Sequence, residues 1–169
     1  RPGNWAVDRI APEWHERFDL VTSFFSLEHI PDVTDTVAEI VRVLKPGGIF
    51  YCIVPNVFGN HADFIVIDHC NHFTPPSLRH LLEHAGLRIR EIDADSHRGA
   101  FVIVADKLDE QDSDSHGLPA GEVQSTLRAL ESVAAYWRSA ASTIRGFEAG
   151  LAAGEEVAIY GAGFYGAFI

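Results

Sequence analysis

Histidines and carboxylates concentrate in one stretch of the chain, residues 55–74. Five such side chains occur there: His61, Asp63, Asp68, His69 and His72. Histidine titrates near neutral pH, and a carboxylate beside it can orient the ring and stabilise its charged form. The residue types in this stretch therefore favour proton transfer by one of its histidines.

The same stretch allows a second interpretation, a metal site. His69 and His72 have a His-x-x-His spacing with carboxylates nearby, and such a donor set can hold a divalent cation. Spacing alone does not place three ligands from one loop around an ion, so we predict no metal site here. A second histidine pair, His80 and His84, lies one helical turn apart in a predicted helix, and we expect both rings to be solvated.

A shorter stretch, residues 24–32 (FFSLEHIPD), follows a predicted buried strand at residues 18–23. In open parallel α/β sheets, ligands bind just beyond the carboxyl ends of the strands. We therefore predict that four side chains line a pocket at this point: Ser23, Phe24, Phe25 and Ser26. The two aromatic rings could flank an adenine or a substrate ring, or they could belong to the core. Glu28 and His29 follow and invite an acid–base or metal interpretation, but we do not predict catalysis by His29.

The elements that must position these stretches form a βαβ unit. Residues 18–23 are short, apolar and β-branched, which is typical of a strand covered on both faces. The next segment has apolar residues at the helical positions i, i+3, i+4 and i+7: Val37, Ile40, Val41 and Leu44. Pro46-Gly47-Gly48 is predicted to end this helix and to turn the chain into a second buried strand at residues 49–54. The pattern predicts an α/β fold with parallel strands.

The rest of the chain predicts a helix at residues 75–86 and two strands at residues 87–92 and 101–105. Residues 108–121 are acidic and rich in Ser and Gly, which predicts a linker between domains. A long helix follows at 122–149, with apolar residues at alternating spacings of four and three: Val123, Leu127, Leu130, Ala134, Trp137, Ala141 and Ile144. This seam predicts packing on a further carboxyl-terminal domain, with pairing to a second copy of the chain, a homodimer, as the alternative.

Residues 155–169 (EEVAIYGAGFYGAFI) read as a strand and a glycine turn. The spacing Gly161-x-Gly163-x-x-Gly166 matches a dinucleotide fingerprint, in which backbone N–H groups approach a phosphate at the start of a helix. A glycine turn that serves tight strand–helix packing is an equally good interpretation. Either one predicts that residues 122–169 hold the long helix and the start of a second Rossmann-like unit, after the first domain at 1–107 and the linker at 108–121.

Composition excludes some classes of function. The chain has 169 residues, 47% hydrophobic and 22% charged, and a net charge of −11, which argues against binding to a nucleic-acid backbone. A small-molecule substrate is therefore favoured. There is no apolar run of 18 or more residues and no signal peptide, so we predict no membrane association and a cytoplasmic location. The chain contains no methionine and opens on Arg1, from which we expect a fragment of a longer protein.

Four motifs in order give a resemblance to a family. FDLV at 18–21, SLEHIPD at 26–32, LKPGG at 44–48 and DHCNHFT at 68–74 resemble the second half of a class I S-adenosylmethionine-dependent methyltransferase. The resemblance covers residues 5 to 107. It implies a Rossmann-like sheet that is mixed because its last strand is antiparallel, and S-adenosylmethionine as cofactor. It also implies that Ser23, Phe24, Phe25, Ser26 and His29 lie on the cofactor side of the site.

Within this family, the chain resembles the sugar C-methyltransferases at Asp68-His69. That resemblance implies that His69, assisted by Asp68, is the catalytic base and that the acceptor is a nucleotide-linked or polysaccharide sugar, with Asn71 and His72 on the substrate side. It also implies a Rossmann-like domain that begins near Gly161. The alternative for Asp68-His69 is a purely structural role, in which the segment fastens the loop by hydrogen bonds. The alternatives for the whole chain are a nicotinamide-dependent sugar oxidoreductase or epimerase built on Gly161, Gly163 and Gly166, and a domain that has the fold without the chemistry.

Overall fold

The computed structural model of the chain describes residues 10–109 and 121–158. Four strands and three helices follow in chain order: β1 (Phe18–Phe24), α1 (Val33–Val43), β2 (Leu44–Pro55), α2 (Pro75–His84), β3 (Leu87–Asp93), β4 (Ala100–Lys107) and α3 (Glu122–Ala149). Short 3-10 helices lie at Pro12–Trp14, Leu27–His29 and His61–Ile65. The predicted α/β class is confirmed.

The four strands form one mixed sheet in the order β1-β2-β4-β3. β1 pairs with β2 in parallel, with Ser23 opposite Cys52, whereas β4 runs antiparallel to both of its neighbours. The last of the four described strands, β4, is thus inserted next to β2, as the resemblance implied. Because β1 and β2 are parallel, their carboxyl ends lie at the same edge of the sheet, and the loops that follow them meet there.

Pro46-Gly47-Gly48, predicted to end α1, lies inside strand β2. α1 ends at Val43, and Leu44 already pairs with Phe18 as the first residue of β2. The register then shifts before Leu20 pairs with residue 49, so Pro46-Gly47-Gly48 forms an irregularity inside the strand and does not end the helix. Gly47 has a φ of +70°, and a Cβ on Gly48 would lie 2.8 Å from the Lys45 carbonyl oxygen. Glycine is therefore required at this bend.

The core lies between the sheet and helices α1 and α2. Val37 and Ile40 of the predicted stripe are buried, and they join the buried strand residues Phe50, Cys52 and Val54. In α2, which a capping box of Thr74 and Ser77 begins, the inner residues are Leu78 and Leu82. His80 and His84 lie on its exposed face, as predicted.

Helix α3 packs with only part of the predicted seam, together with a residue beside it. Val133 is its buried residue, whereas Leu127 and Ala134 of the seam are exposed. Trp137 donates its indole Nε1–H to the carbonyl oxygen of His61 at 3.0 Å, and α3 also contacts α2. The helix therefore covers the 3-10 helix at 61–65.

Parts of the predicted organisation lie outside the described residues. Most of the linker and the glycine turn at Gly161, Gly163 and Gly166 fall in residues 110–120 and 159–169. The second Rossmann-like unit and the homodimer stay predictions. None of the helices in the described ranges is long and apolar enough to cross a lipid bilayer.

Candidate functional site

A cleft opens at the carboxyl end of β1. Its volume is about 350 Å³, and its walls include Ser23, Phe24 and Ser26, three of the residues predicted for the cofactor side. Most of the other walls are apolar, and the polar side chains of Thr22, Thr36 and Glu39 also line it. A cleft of this size with hydroxyl groups on mainly apolar walls suits a small organic ligand.

The two phenylalanines of the predicted pocket point in different directions. Phe24 is about half exposed on the cleft side, with its ring centroid 5.8 Å from that of Tyr51. Phe25 has a φ of +47°, donates its N–H to the carbonyl oxygen of Ile53, and packs its ring against His97 at 5.4 Å. Neither ring belongs to the core, and Phe25 does not line the cleft. A positive φ is costly for an aromatic residue, and nothing in its sequence pattern indicates this backbone.

A buried carboxylate organises the histidines of the second loop. Asp63 is fully buried, with Oδ1 2.7 Å from Nδ1 of His69 and Oδ2 2.6 Å from Nδ1 of His72. One carboxylate thus fixes two imidazole rings by short, charge-assisted hydrogen bonds. The 3-10 helix at His61–Ile65 makes this possible, because it turns Asp63 back toward residues six and nine positions later in the chain.

The predicted assistance of His69 by Asp68 is not what the structure shows. The Asp68 side chain is 69% exposed, and its Oδ2 lies 3.3 Å from Nδ1 of His29. The backbone oxygen of Asp68 lies 3.1 Å from the same nitrogen. Asp63 occupies the position beside His69 that the sequence analysis gave to Asp68. Neighbours in sequence diverge here because the loop is irregular and successive side chains point in different directions.

Asn71 fastens the two loops to each other. Its side-chain amide donates to the carbonyl oxygens of Leu27, at 3.1 Å, and of Ile30, at 2.6 Å. The backbone N–H groups of Cys70 and Asn71 both donate to the carbonyl oxygen of Glu28. The amide of Asn71, predicted to contact substrate, is thus engaged in holding the loop after β1 against the loop after β2.

These contacts bring Glu28, His29 and His69 together. The ring centroids of His29 and His69 are 4.7 Å apart, and Oε1 of Glu28 is 3.9 Å from Nε2 of His29. The Glu28 side chain is buried, and its Oε2 has no hydrogen-bond partner among the described residues. Burial raises the pKa of Glu28 above its usual value, against smaller opposing effects of a backbone N–H and the two histidines. The acid–base or metal interpretation of Glu28 rested on its position in the loop after β1, and nothing in the sequence indicated that its carboxylate is buried.

The chain matches a known family in the region that forms this site. Residues 3–92 match the sequence model of a methyltransferase domain family, which is just over half of the 169 residues. The chain belongs to this family. The family predicted from the four motifs is confirmed, and with it S-adenosylmethionine as the family's cofactor. No curated protein sequence is significantly similar to this chain.

Similar solved structures come from bacteria and from an archaeon. A protein from Listeria monocytogenes assigned to the S-adenosylmethionine-dependent methyltransferases is 16% identical, with a TM-score of 0.50, over 63% of this chain and 68% of that chain. A Haloferax volcanii protein assigned as a methyltransferase, in complex with the activator Trm112, is 21% identical, with a TM-score of 0.48, over 56% of each chain. A Burkholderia thailandensis 1,6-didemethyltoxoflavin N1-methyltransferase, with S-adenosylhomocysteine bound, is 26% identical, with a TM-score of 0.45, over 56% of this chain and 46% of that chain. The Listeria structure confirms the predicted Rossmann-like methyltransferase fold, and this chain spans about half to two thirds of the length of these proteins.

Proposed function

We propose that this chain contributes to an enzyme that transfers a methyl group from S-adenosylmethionine to a small-molecule acceptor. The observation that carries the proposal is the position of the loop at residues 24–30. One side of this loop lines the 350 Å³ cleft, and on the other side His29 contacts the ring of His69. A ligand in the cleft and a group that can accept a proton are therefore held by one segment.

The cleft is the part of the site that fits the cofactor. The hydroxyl groups of Ser23 and Ser26 can hydrogen-bond a ribose or an amino-acid moiety, and the exposed face of Phe24 can stack on adenine. Bound there, the cofactor supplies a methyl group activated by a sulfonium. The residues of the chain contribute chiefly by holding donor and acceptor in near-attack geometry, which can account for a large share of the rate enhancement.

His69 is the proposed proton acceptor, positioned by Asp63. The hydrogen bond from Nδ1–H to the Asp63 carboxylate fixes the tautomer, so that the lone pair of Nε2 is the one that can accept a proton. The methyl acceptor would lose its proton to Nε2 as its new bond to carbon forms. His72 is held by the other oxygen of Asp63, with its ring centroid 4.6 Å from that of Phe64, and is the proposed contact to the acceptor.

For the acceptor we propose a nucleotide-linked or polysaccharide sugar. Support comes from the acidic residue and histidine that follow β2, which resemble those of sugar C-methyltransferases, and from the acidic net charge, which disfavours nucleic acid. A base next to a keto sugar would take a proton from the carbon beside the carbonyl group.

Thermal shift of the full-length protein tests the cofactor. We expect S-adenosylhomocysteine to raise the melting temperature and NAD to leave it unchanged, because only a ligand that binds the folded state stabilises it. Stabilisation by NAD alone would favour an oxidoreductase. Formation of S-adenosylhomocysteine in the presence of a panel of keto sugars then tests the acceptor, and activity on no sugar but on other small molecules would exclude the sugar class.

A further inference from the structure

We propose that Glu28, His29 and His69 form a binding site for one divalent transition cation of the zinc type. Each residue offers one ligand atom, and these atoms all lie within 4.8 Å of one another. The donor set is two imidazole nitrogens and one carboxylate oxygen. This combination favours Zn²⁺, Co²⁺ or Fe²⁺ over Mg²⁺, which prefers oxygen ligands only. The proposal concerns cation binding and does not depend on the identity of the methyl acceptor.

The environment of the two histidines matches that of metal ligands. Metal-bound histidines almost always direct their second nitrogen to a carboxylate or a carbonyl oxygen, which fixes the ring. Nδ1 of His69 lies 2.7 Å from the buried Asp63 carboxylate, and Nδ1 of His29 lies 3.1 Å from the backbone oxygen of Asp68. Both rings therefore have Nε2 as the nitrogen that can coordinate a cation.

Glu28 provides the independent observation. Its side chain is 1% exposed, and Oε2 has no hydrogen-bond partner among the described residues. A buried carboxylate oxygen without a partner is costly, and a cation would provide the missing partner. From the sequence, a metal was considered for each loop separately, and none was predicted. The structure combines ligands from two loops, which Asn71 ties together.

The site needs only a small closure. Tetrahedral zinc with ligands at about 2.1 Å separates its ligand atoms by about 3.4 Å. The ligand atoms of the three residues lie up to 4.8 Å apart, so they must move closer together by on the order of 1 Å. His29 is 38% exposed and can rotate toward Glu28, while Asp63 keeps His69 in place. The fourth position would be open to water or to an oxygen of a ligand.

Cation binding and proton acceptance use the same lone pair of His69. A loaded site therefore leaves no accepting nitrogen on that ring, and we expect Zn²⁺ to inhibit any methyl transfer in which His69 takes the proton. The two proposals remain separable, because cation binding is measured without cofactor or acceptor.

The experiment is calorimetric titration of the metal-free full-length protein with Zn²⁺, and with Co²⁺ as a spectroscopic probe. We expect one cation per chain, a Co²⁺ absorption spectrum of low coordination number, and no competition by Mg²⁺ at similar concentrations. The single variants His29→Gln and Glu28→Gln should each weaken binding at least about tenfold, and Asp63→Asn by about 10- to 100-fold. The His29 side chain is partly exposed, so we expect His29→Gln to fold. This variant therefore still tests the site if Glu28→Gln, a change at a buried side chain, fails to fold.

The matched control is a close histidine pair outside the proposed site. His80 and His84 lie one turn apart on α2, with ring centroids 4.0 Å apart, and could bind a transition cation on the surface. The double variant His80→Gln, His84→Gln should keep the parental affinity. Loss of binding in this variant, retention of binding in His29→Gln, or tighter binding of Mg²⁺ than of Zn²⁺ would each overturn the proposed site.

Discussion

The substitution Asp63→Asn separates the role of Asp63 from the one predicted for Asp68. The Asp63 carboxylate accepts two hydrogen bonds, at 2.7 Å from His69 and 2.6 Å from His72. An asparagine keeps one acceptor oxygen and presents an NH₂ group to the other ring. That ring must then move its proton from Nδ1 to Nε2, or lose its hydrogen bond.

The magnitude follows from these contacts. A hydrogen bond to a charged group contributes about 1.5–3 kcal/mol, so losing one of the two should lower the free energy of unfolding by about 2 kcal/mol. In a protein of this size that corresponds to a fall in melting temperature of about 4–8 °C. If the ring that changes tautomer is His69, its Nε2 can no longer accept a proton, and kcat should fall by about 10²- to 10⁴-fold.

The assay pairs Asp63→Asn with Asp68→Asn as the matched control. Both remove one negative charge, but Asp68 is exposed, so its variant should stay within about 0.5 kcal/mol of the parent in a urea titration. Formation of S-adenosylhomocysteine gives kcat for each variant. If Asp68→Asn lost activity while Asp63→Asn remained as stable and active as the parent, the assignment of Asp63 as the positioning residue would be refuted.

Three further predictions concern other parts of the fold. In the folded protein, a thiol reagent at pH 8 should modify the exposed Cys70 but not Cys52, because burial raises the pKa of Cys52 to about 12; modification of both thiols would contradict its burial. Ser96→Ala should raise the pKa of Asp93, which the Ser96 hydroxyl holds below its usual value, as an NMR titration would show. The stability that this interaction gives is present above the ordinary pKa of Asp93 and is lost as the pH falls through its lowered folded-state pKa, so the variant should be less sensitive to acid. Thr74→Ala removes the capping box of α2 and should cost about 1 kcal/mol in urea unfolding, and no change would show that the cap contributes nothing.

Local sequence patterns were sufficient for the elements around the site. The stripe of Val37 and Ile40 identified α1 because an amphipathic helix buries one face. The short apolar run at 18–23 identified β1 as a strand, but the predicted cover on both faces is absent among the described residues, where β1 is an edge strand with no buried residue. Because β1 and β2 are parallel neighbours, the loops that follow them must meet at one edge of the sheet. That rule placed Ser23, Phe24 and Ser26 beside the cleft and His69 near His29.

The sequence by itself thus determined the α/β class, the family and the end of the sheet at which the polar residues gather. Only the tertiary structure decided that Asp63, and not Asp68, is the partner of His69, that the Glu28 carboxylate is buried, and that Val133 is the buried residue of α3. The physical reason is that periodicity reports which side of a regular element is buried. In irregular loops the direction of each side chain depends on contacts between segments some 40 residues apart, such as the hydrogen bonds from the 70–71 backbone to Glu28, and no local pattern encodes them.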